Sequence, residues 1–197
     1  MTAPVFLPEL RWTAQALPET AGLTLVAVYS PEDDAVRASG VAVPAAGETV
    51  ASAVGGLLLR FMDRLEQLDP ATAEREMNPR PVEHDAAVPD ALAAYTAGRV
   101  RALDALTVAQ PGTDFRRRAW DALRSVPPGA PVTYAQLAER AESPTAVRAV
   151  GGACATNLAA VVVPCHRVVR ADGGIGQYLY GVAAKRALLE HEAAHAD

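Results

Sequence analysis

A cysteine and a histidine stand side by side near the C-terminal end of the chain, in the segment Pro164-Cys165-His166-Arg167. The thiolate is the reactive form of cysteine, and a neighbouring base or cation lowers the pKa of the thiol. The valines at 161–163 predict a short buried strand that ends at Pro164, because proline cannot donate a ladder hydrogen bond. We therefore expect Cys165 at the end of a rigid strand, facing a pocket, and we expect the chemistry there.

The composition indicates a folded globular protein, since half of the 197 residues are hydrophobic. No apolar stretch approaches the roughly 20 residues that span a bilayer, so we expect no membrane partner. The N-terminus carries no basic region before an apolar core, so no secretory signal is predicted. Cys154 and Cys165 are too few for a disulfide framework, which predicts a reducing, cytoplasmic environment. A single disulfide between them is the disfavoured alternative.

Metal binding is not expected from the histidine and cysteine pattern. Zinc sites are typically built from closely spaced Cys and His pairs. The one such pair is Cys165-His166, and neighbouring side chains on an extended chain point to opposite faces. His84, His191 and His195 are scattered, and we expect all three to be solvated. The prediction is no metal and no cofactor.

The net charge of −5 conceals a difference between the two halves of the chain. Residues 1–110 hold 8 basic and 15 acidic side chains, a net charge of −7. Residues 111–197 hold 10 basic and 8 acidic side chains, a net charge of +2. The mildly basic half also carries the Cys-His pair, which favours contact with phosphate only weakly.

Residues 1–110 and 111–197 are predicted to be two domains, with Gln110-Pro111-Gly112 as the hinge. The first domain is expected to be α+β, with a small antiparallel sheet and helices, and to have a structural role. Its predicted elements are strands over 23–29 and 36–43 joined by a turn at 30–34, helices over 57–68 and 90–106, and an irregular segment over 69–89.

The second domain is predicted to be mainly α and to contain a helix-turn-helix. Thr113 is expected to cap a helix that ends near Arg124, and Thr133 a helix that ends near Arg140. A third helix is expected to begin at Ser143-Pro144 and to end near residue 156. The last two of these helices form the predicted helix-turn-helix, which is a weak pattern by itself. Arg148 is the one long charged side chain on the second helix of this pair. The alternative is that it is an ordinary surface arginine.

The segment from Pro164 to Val169 resembles the active-site signature of the O6-alkylguanine-DNA alkyltransferases, which transfer an alkyl group from guanine in DNA onto their own cysteine. The similarity covers residues 90–192 and is only architectural before them. The other matching motifs, in chain order, are Tyr95-x-x-Gly98-Arg99, Gly112-Thr113-x-Phe115, Trp120-x-x-Leu123, Thr133-Tyr134-x-x-Leu137-Ala138, Arg148-Ala149-Val150-Gly151, Asn157 eight residues before Cys165, and Tyr178, Gly181, Lys185, Leu188, Leu189 and Glu192.

The resemblance implies a catalytic role for five residues. Cys165 would be the nucleophile, and His166 would act as its base through a water. Glu192 would orient His166 and stabilise its charge. Asn157 would hold the active-site strand and the helix-turn-helix in register, and Tyr134 would donate a proton to the leaving guanine.

The resemblance also implies a way of binding DNA. O6 of guanine lies inside the duplex, so the base must rotate out into a pocket. Arg148 would fill the space that it leaves, because a long planar cation can stack and hydrogen-bond there. The implied DNA-binding residues are Arg148, Tyr134, Thr133, Ala149 and Gly151, and the implied pocket residues are Pro164, Val168, Gly176 and Tyr178.

Four positions depart from the family pattern. Leu158 follows Asn157 where the family usually has proline, and Gln177 separates Gly176 from Tyr178. The frequent Pro-Tyr-Gly turn has Pro128 in its centre, and Arg116 replaces the usual glutamine. None of these departures removes a reacting group, so the expected reaction is unchanged. They are expected to affect the shape of the pocket and the range of alkyl groups that it accepts.

The implied function is direct repair of double-stranded DNA containing O6-alkylguanine, by a cytoplasmic monomer that is nucleoid-associated if prokaryotic. Each molecule would act once, since a thioether does not hydrolyse. The alternatives are a non-catalytic alkylated-base-binding protein, a helix-turn-helix regulator and an unrelated cysteine hydrolase. The presence of Cys165 opposes the first, and the second leaves the Cys-His pair unexplained. A hydrolase would need an oxyanion hole and a base distant in sequence.

Overall fold

A computed structural model describes residues 8–78 and 87–196 of the chain. It begins with a four-stranded sheet in the order β3-β2-β1-β4. The first three strands pair antiparallel, and the short fourth strand pairs parallel with β1. The two predicted strands are confirmed as β2 and β3, whereas β1 and β4 were not predicted. The strands are β1 (Leu10–Ala16), β2 (Thr24–Ser30), β3 (Ala35–Ala42) and β4 (Met77–Asn78).

The central strand β2 is buried along its whole length and serves two cores. Val26 and Val28 face a cluster that includes Phe61. Leu25 and Tyr29 face the other way, into a second cluster. This alternation follows from the two-residue period of a strand, which sends successive side chains to opposite faces. The sheet therefore has helices packed against both of its faces.

The helices of the first half depart from prediction at their ends. Helix α1 (Val50–Leu68) begins at Val50 rather than at residue 57, where the Thr49 hydroxyl accepts a hydrogen bond from the backbone of Ser52 at 3.2 Å. The segment expected to be irregular contains the short helix α2 (Pro70–Ala73), followed by β4.

The single helix predicted over 90–106 is wrong. Helix α3 (Ala87–Thr96) ends before Gly98, which has a φ of 94°, and a 3-10 turn follows at Ala102–Ala105. The backbone N–H of Arg99 bonds to the carbonyl of Ala94 at 2.9 Å, as happens when a left-handed glycine ends a helix.

The second half is mainly helical, as predicted. The Thr113 hydroxyl caps its first helix, and Thr133 caps its second through a capping box with Gln136, so both predicted starts are confirmed. Its elements are α4 (Asp114–Arg124), β5 (Val132–Thr133), α5 (Tyr134–Arg140), α6 (Val147–Thr156), a 3-10 turn (Cys165–Arg167), β6 (Val168–Val169) and α7 (Val182–Ala194).

Two predictions for the second half are wrong in detail. Helix α6 begins at Val147 rather than at Ser143, because residues 143–146 form a turn in which the N–H of Ala146 bonds to the carbonyl of Ser143 at 2.9 Å. Residues 161–163 are buried as expected, but they form a tight turn and not a strand. Val161 has a φ of 77°, which is rare for a β-branched residue.

The two halves share one apolar core. Tyr29 and Tyr95 from the first half belong to the same buried cluster as Trp120 and Leu137 from the second. The hydroxyl of Ser39 on β3 also donates to the carbonyl of Ala160 at 2.8 Å. The segment that leads into Cys165 is therefore bonded directly to the sheet. The domain boundary at residues 110 and 111 stays a prediction. No helix in the described part of the chain is long and apolar enough to cross a bilayer.

We expect Gly40→Ala to lower the free energy of unfolding by about 1–3 kcal/mol, because overpacking forces neighbours to shift. A Cβ at Gly40 would lie 2.1 Å from the hydroxyl of Tyr180. Urea denaturation measures the change. The control is Gly55→Ala on α1, which should be at least as stable as the unaltered protein, because a Cβ there meets nothing within 4 Å and alanine is the better helix former. Equal stability of the two variants would show that Tyr180 moves aside freely.

Candidate active site

Cys165 lies at the start of the 3-10 turn and faces a cavity of about 350 Å³. The residue is only 8% exposed, so access to its sulfur is through this cavity. The volume falls within the range of small-molecule pockets in proteins. The cavity is lined by Tyr134, Gly151, Cys154, Ala155, Asn157, Ala160, Cys165, Gln177, Tyr178 and Leu179.

The Cys165 sulfur receives a hydrogen bond from Nδ2 of Asn157 at 3.2 Å. The same Nδ2 donates to the carbonyl of Val163 at 2.8 Å, so Asn157 connects the end of α6 to the turn that precedes Cys165. Burial raises the pKa of the Cys165 thiol, and the Asn157 hydrogen bond and the Lys185 charge act in the opposite direction. The sulfur is thus held in an apolar site in which a few groups favour its thiolate.

His166 lies outside the lining of the cavity and contacts Glu192 on α7. Its Nε2 lies 2.9 Å from Oε1 of Glu192, and both side chains are fully buried. Its Nδ1 is buried and bonds to no described residue. Because residues 165–167 form a helical turn, the expectation of an extended Cys-His pair is wrong. The turn nevertheless separates the two side chains, because Cys165 lines the cavity whereas His166 contacts Glu192 on α7.

Glu192 is the centre of a buried network. Arg167 donates to both of its carboxylate oxygens at 2.9 Å, and Tyr95 donates to Oε1 at 2.9 Å. Burial alone would raise the pKa of Glu192, but the charge of His166 and the hydrogen bonds from His166 and Arg167 lower it to about 2. The carboxylate therefore stays ionised at neutral pH. The resemblance gave Arg167 and Tyr95 no part in this network.

Tyr134 begins α5 and lines the cavity beside Cys165. Burial, together with the nearby Cys154 and Cys165, raises the pKa of its hydroxyl. Tyr134 therefore keeps its proton at neutral pH, and its hydroxyl can donate a hydrogen bond to a group in the cavity. Thr133, which precedes it, is occupied in capping the helix.

Helix α6 presents two kinds of residue. Arg148 and Ala149 lie exposed in its first turn, whereas Gly151 lies one turn further on and lines the cavity. A Cβ at Gly151 would lie 4.0 Å from the ring of Tyr134. The exposed surface of the helix pair α5 and α6 therefore adjoins the cavity at α6.

The segment before α7 forms one wall of the cavity through Gln177, Tyr178 and Leu179. The ammonium group of Lys185 donates to the carbonyl of Val168 at 2.6 Å and to that of Gln177 at 3.5 Å, which fixes this wall to β6. Of the four implied pocket residues, Tyr178 lines the cavity, and Pro164, Val168 and Gly176 lie outside its lining.

Besides Arg167 and Tyr95, sequence reasoning missed two contributors to the site. Cys154 lies on α6 and lines the same cavity as Cys165, and the spacing of two cysteines does not reveal that. The side chain of Gln110, assigned only to a hinge, bonds to Asn157. Neither the position of Cys154 nor the contact of Gln110 leaves a local pattern in the sequence, since both depend on how separate elements pack together.

The prediction of solvated histidines is wrong for His191. It lies on α7, half-buried, and its Nε2 is 2.8 Å from the carbonyl of Tyr95. His195 is exposed, although its Nδ1 lies 2.8 Å from the carbonyl of His191. His84 lies outside the described residues.

Known sequences agree with this arrangement. A family model described as 6-O-methylguanine DNA methyltransferase, DNA binding domain, matches residues 114–194. The methylated-DNA–protein-cysteine methyltransferase of Salmonella typhimurium is 40% identical over 134 residues, which cover 68% of this chain and 78% of that protein. The bifunctional transcriptional activator/DNA repair enzyme Ada of Escherichia coli is 51% identical over 82 residues. That match covers 42% of this chain but only 23% of Ada.

Solved structures agree over nearly the whole chain. The Mycobacterium tuberculosis OGT in complex with DNA superposes with a TM-score of 0.66 at 26% identity, covering 95% of this chain and 94% of that one. The O6-methylguanine-DNA methyltransferase of Pyrococcus kodakaraensis gives a TM-score of 0.64 at 26% identity. The small sheet with helices, followed by a helical half, is thus the fold of these proteins. The chain belongs to the methylated-DNA–protein-cysteine methyltransferase family.

Proposed function

We propose that this protein repairs DNA directly, by transferring an alkyl group from O6 of guanine to the sulfur of Cys165. The observation that carries the proposal is the position of this sulfur, at the wall of a cavity of about 350 Å³ that also contains Tyr134 and Asn157. A cavity of this size accommodates one purine base. A non-catalytic base-binding role would leave the cysteine in the cavity without a purpose.

The transfer is a displacement at the alkyl carbon. The Cys165 sulfur forms a bond to this carbon while the bond from the carbon to O6 breaks, and its electrons leave with the guanine. The thiol proton passes through a water to Nδ1 of His166, and Glu192 stabilises the resulting charge. Tyr134 donates a proton to the departing guanine, because a guanine anion is a poor leaving group at neutral pH.

The substrate is double-stranded DNA, in which the alkylated base must leave the stack to reach the cavity. The exposed first turn of α6 next to the cavity supports Arg148 as the side chain that replaces the base in the duplex. Ala149 and Gly151 on the same helix, and Thr133 and Tyr134 on α5, complete the proposed DNA surface. The small residues of α6 suit close approach to the backbone better than readout of base edges.

Each molecule acts once, because the alkyl group remains on Cys165 as a thioether that does not hydrolyse. We further propose that the protein works as a cytoplasmic monomer, without a cofactor or metal. None of the described residues forms a cluster of three or more potential metal-ligating His, Cys, Asp or Glu side chains.

The test is to incubate the protein with a duplex containing O6-methylguanine labelled on the methyl group. We expect one label per molecule, bound covalently to Cys165. Trypsin cleaves after Arg148 and after Arg167, so Cys154 and Cys165 share the peptide 149–167. Fragment ions of this peptide distinguish the two sulfurs. Absence of transfer, both from the duplex and from free O6-benzylguanine, would overturn the proposal.

We expect Arg148→Ala to slow repair in duplex DNA by about tenfold or more, because the extruded base then loses the side chain that holds its place. The reaction with free O6-benzylguanine should be unchanged, since this small substrate needs no extrusion. Single-turnover rates on both substrates measure the difference. Arg186→Ala, which removes an exposed arginine from α7, is the matched control. Equal losses on both substrates would contradict the role of Arg148.

A further inference from the structure

The side chain of Gln110 connects the segment before α4 to the residues that surround Cys165. Its Oε1 accepts hydrogen bonds from the backbone N–H groups of Leu158 at 2.8 Å and Ala159 at 3.4 Å. Its Nε2 donates to Oδ1 of Asn157 at 3.2 Å. We propose that Gln110 is a positioning residue for alkyl transfer, because it orients the Asn157 amide that donates to the Cys165 sulfur.

The orientation of Gln110 is determined by the backbone. A backbone N–H can only donate, so the side-chain atom that faces Leu158 and Ala159 must be the carbonyl oxygen. The amide nitrogen of Gln110 is then directed towards Asn157. The preceding residue is fixed as well, since the N–H of Ala109 bonds to the carbonyl of Val36 on β3 at 3.0 Å. Gln110 therefore acts from a rigid position.

The orientation of Asn157 follows from that of Gln110. Its Oδ1 accepts from Nε2 of Gln110 and from the N–H of Ala159, both at 3.2 Å. Its Nδ2 must then face the carbonyl of Val163 and the sulfur of Cys165. The reverse orientation would place an oxygen against two acceptors and an amide nitrogen against two donors.

The consequence for Cys165 is electrostatic. An amide N–H that donates to the sulfur stabilises the thiolate, whereas a carbonyl oxygen at the same place would repel it. Burial already disfavours the thiolate at this site. Without the donor from Gln110, Oδ1 of Asn157 keeps only the N–H of Ala159 as a donor, so the amide is held less firmly and the thiolate loses part of its support. The inference rests on the proposed function for its purpose, but its chemistry concerns only the acidity of one thiol.

The test is the pH dependence of Cys165 alkylation by iodoacetamide in the full chain, read from the fragment ions of peptide 149–167. Gln110→Met keeps the length of the side chain and removes both of its polar atoms. Gln110→Glu keeps an acceptor for Leu158 but removes the donor to Asn157. We expect both variants to move the midpoint of Cys165 alkylation to higher pH by about one unit. Such a shift lowers the fraction of Cys165 that is present as the reactive thiolate at neutral pH about tenfold.

Gln15→Met, on β1, is the control for a change from glutamine to methionine, and we expect its midpoint to match that of the unaltered protein. A merely structural role for Gln110 would lower the melting temperature without moving the midpoint. Folded Gln110→Met or Gln110→Glu protein with an unchanged midpoint would overturn the inference. Iodoacetamide requires neither DNA nor guanine, so failure of the proposed repair reaction would be seen separately, as absent methyl transfer with the midpoint shift intact.

Discussion

Replacing Cys165 with serine is expected to abolish alkyl transfer and to leave DNA binding intact. Sulfur is the attacking atom, and a serine hydroxyl in the same place is a far weaker nucleophile that no base in direct contact activates. The substitution removes little volume and keeps an acceptor for the Asn157 amide. The cavity and the helix pair α5 and α6 should therefore retain their shape.

Two measurements on Cys165→Ser check this expectation. Incubation with the labelled duplex should yield no covalent label, while a gel-shift assay should give an affinity close to that of the unaltered protein. Cys154→Ser is the matched variant, and it should still acquire the label on Cys165 whatever its rate. Full transfer by Cys165→Ser would show that the nucleophile is another residue. Loss of DNA binding would instead point to a disturbed fold.

The sequence predicted those features that are encoded locally. Thr113 and Thr133 were expected as helix caps, and each does accept the predicted backbone hydrogen bond. A capping hydroxyl and the helix that it starts are neighbours in the chain, so the pattern is complete within a few residues. Strand β2 was equally clear, because its apolar run is bounded by turn residues.

Local patterns failed where distant contacts decide the conformation. Three valines favour a strand, yet residues 161–163 turn sharply. The turn is held from elsewhere in the chain: Ser39 of β3 donates to the carbonyl of Ala160, and Asn157 donates to that of Val163. These bonds offset the strain of Val161, whose positive φ no propensity scale would assign to it.

The candidate site was predicted unevenly for the same reason. Residues that match a family motif, such as Asn157 and Glu192, could be named in advance. Their partners could not, because Gln110 is 47 residues from Asn157 and Tyr95 is 97 residues from Glu192. Those contacts exist only after the sheet, α3 and α7 have packed into one core. The departure at Leu158 is explained in part, because its side chain is buried in the core against α1, and its backbone N–H, which a proline would lack, bonds to Gln110.

Glu192→Gln is expected to lower the free energy of unfolding at pH 7 by about 3–5 kcal/mol, the usual cost of leaving a buried charge without its partner. Arg167 would lose the carboxylate that accepts two of its hydrogen bonds, and both side chains are buried away from bulk water. The new amide group would also direct its own N–H atoms towards the donors of Arg167, His166 or Tyr95.

The same variant should lose the acid sensitivity that Glu192 confers. The pKa of Glu192 is lowered from 4.5 to about 2 in the folded protein. The contribution of this carboxylate to the free energy of unfolding is therefore fully present above about pH 4.5 and is lost as the pH falls towards 2. The difference in stability between the unaltered protein and Glu192→Gln should be constant near neutral pH and should narrow below about pH 5.

Urea denaturation at a series of pH values measures both effects, and Glu190→Gln supplies the control. Glu190 is an exposed carboxylate on the same helix, so its replacement should change the stability by less than about 0.5 kcal/mol.

In the folded fraction of Glu192→Gln, the reaction with O6-benzylguanine should slow on the order of a hundredfold, because His166 loses the carboxylate that orients its ring and stabilises its charge. A stability equal to that of Glu190→Gln would mean that Arg167 finds another acceptor. An unchanged rate would mean that His166 is not the base. The two outcomes are independent, so this one substitution tests separately whether Glu192 holds the fold together and whether it supports the transfer.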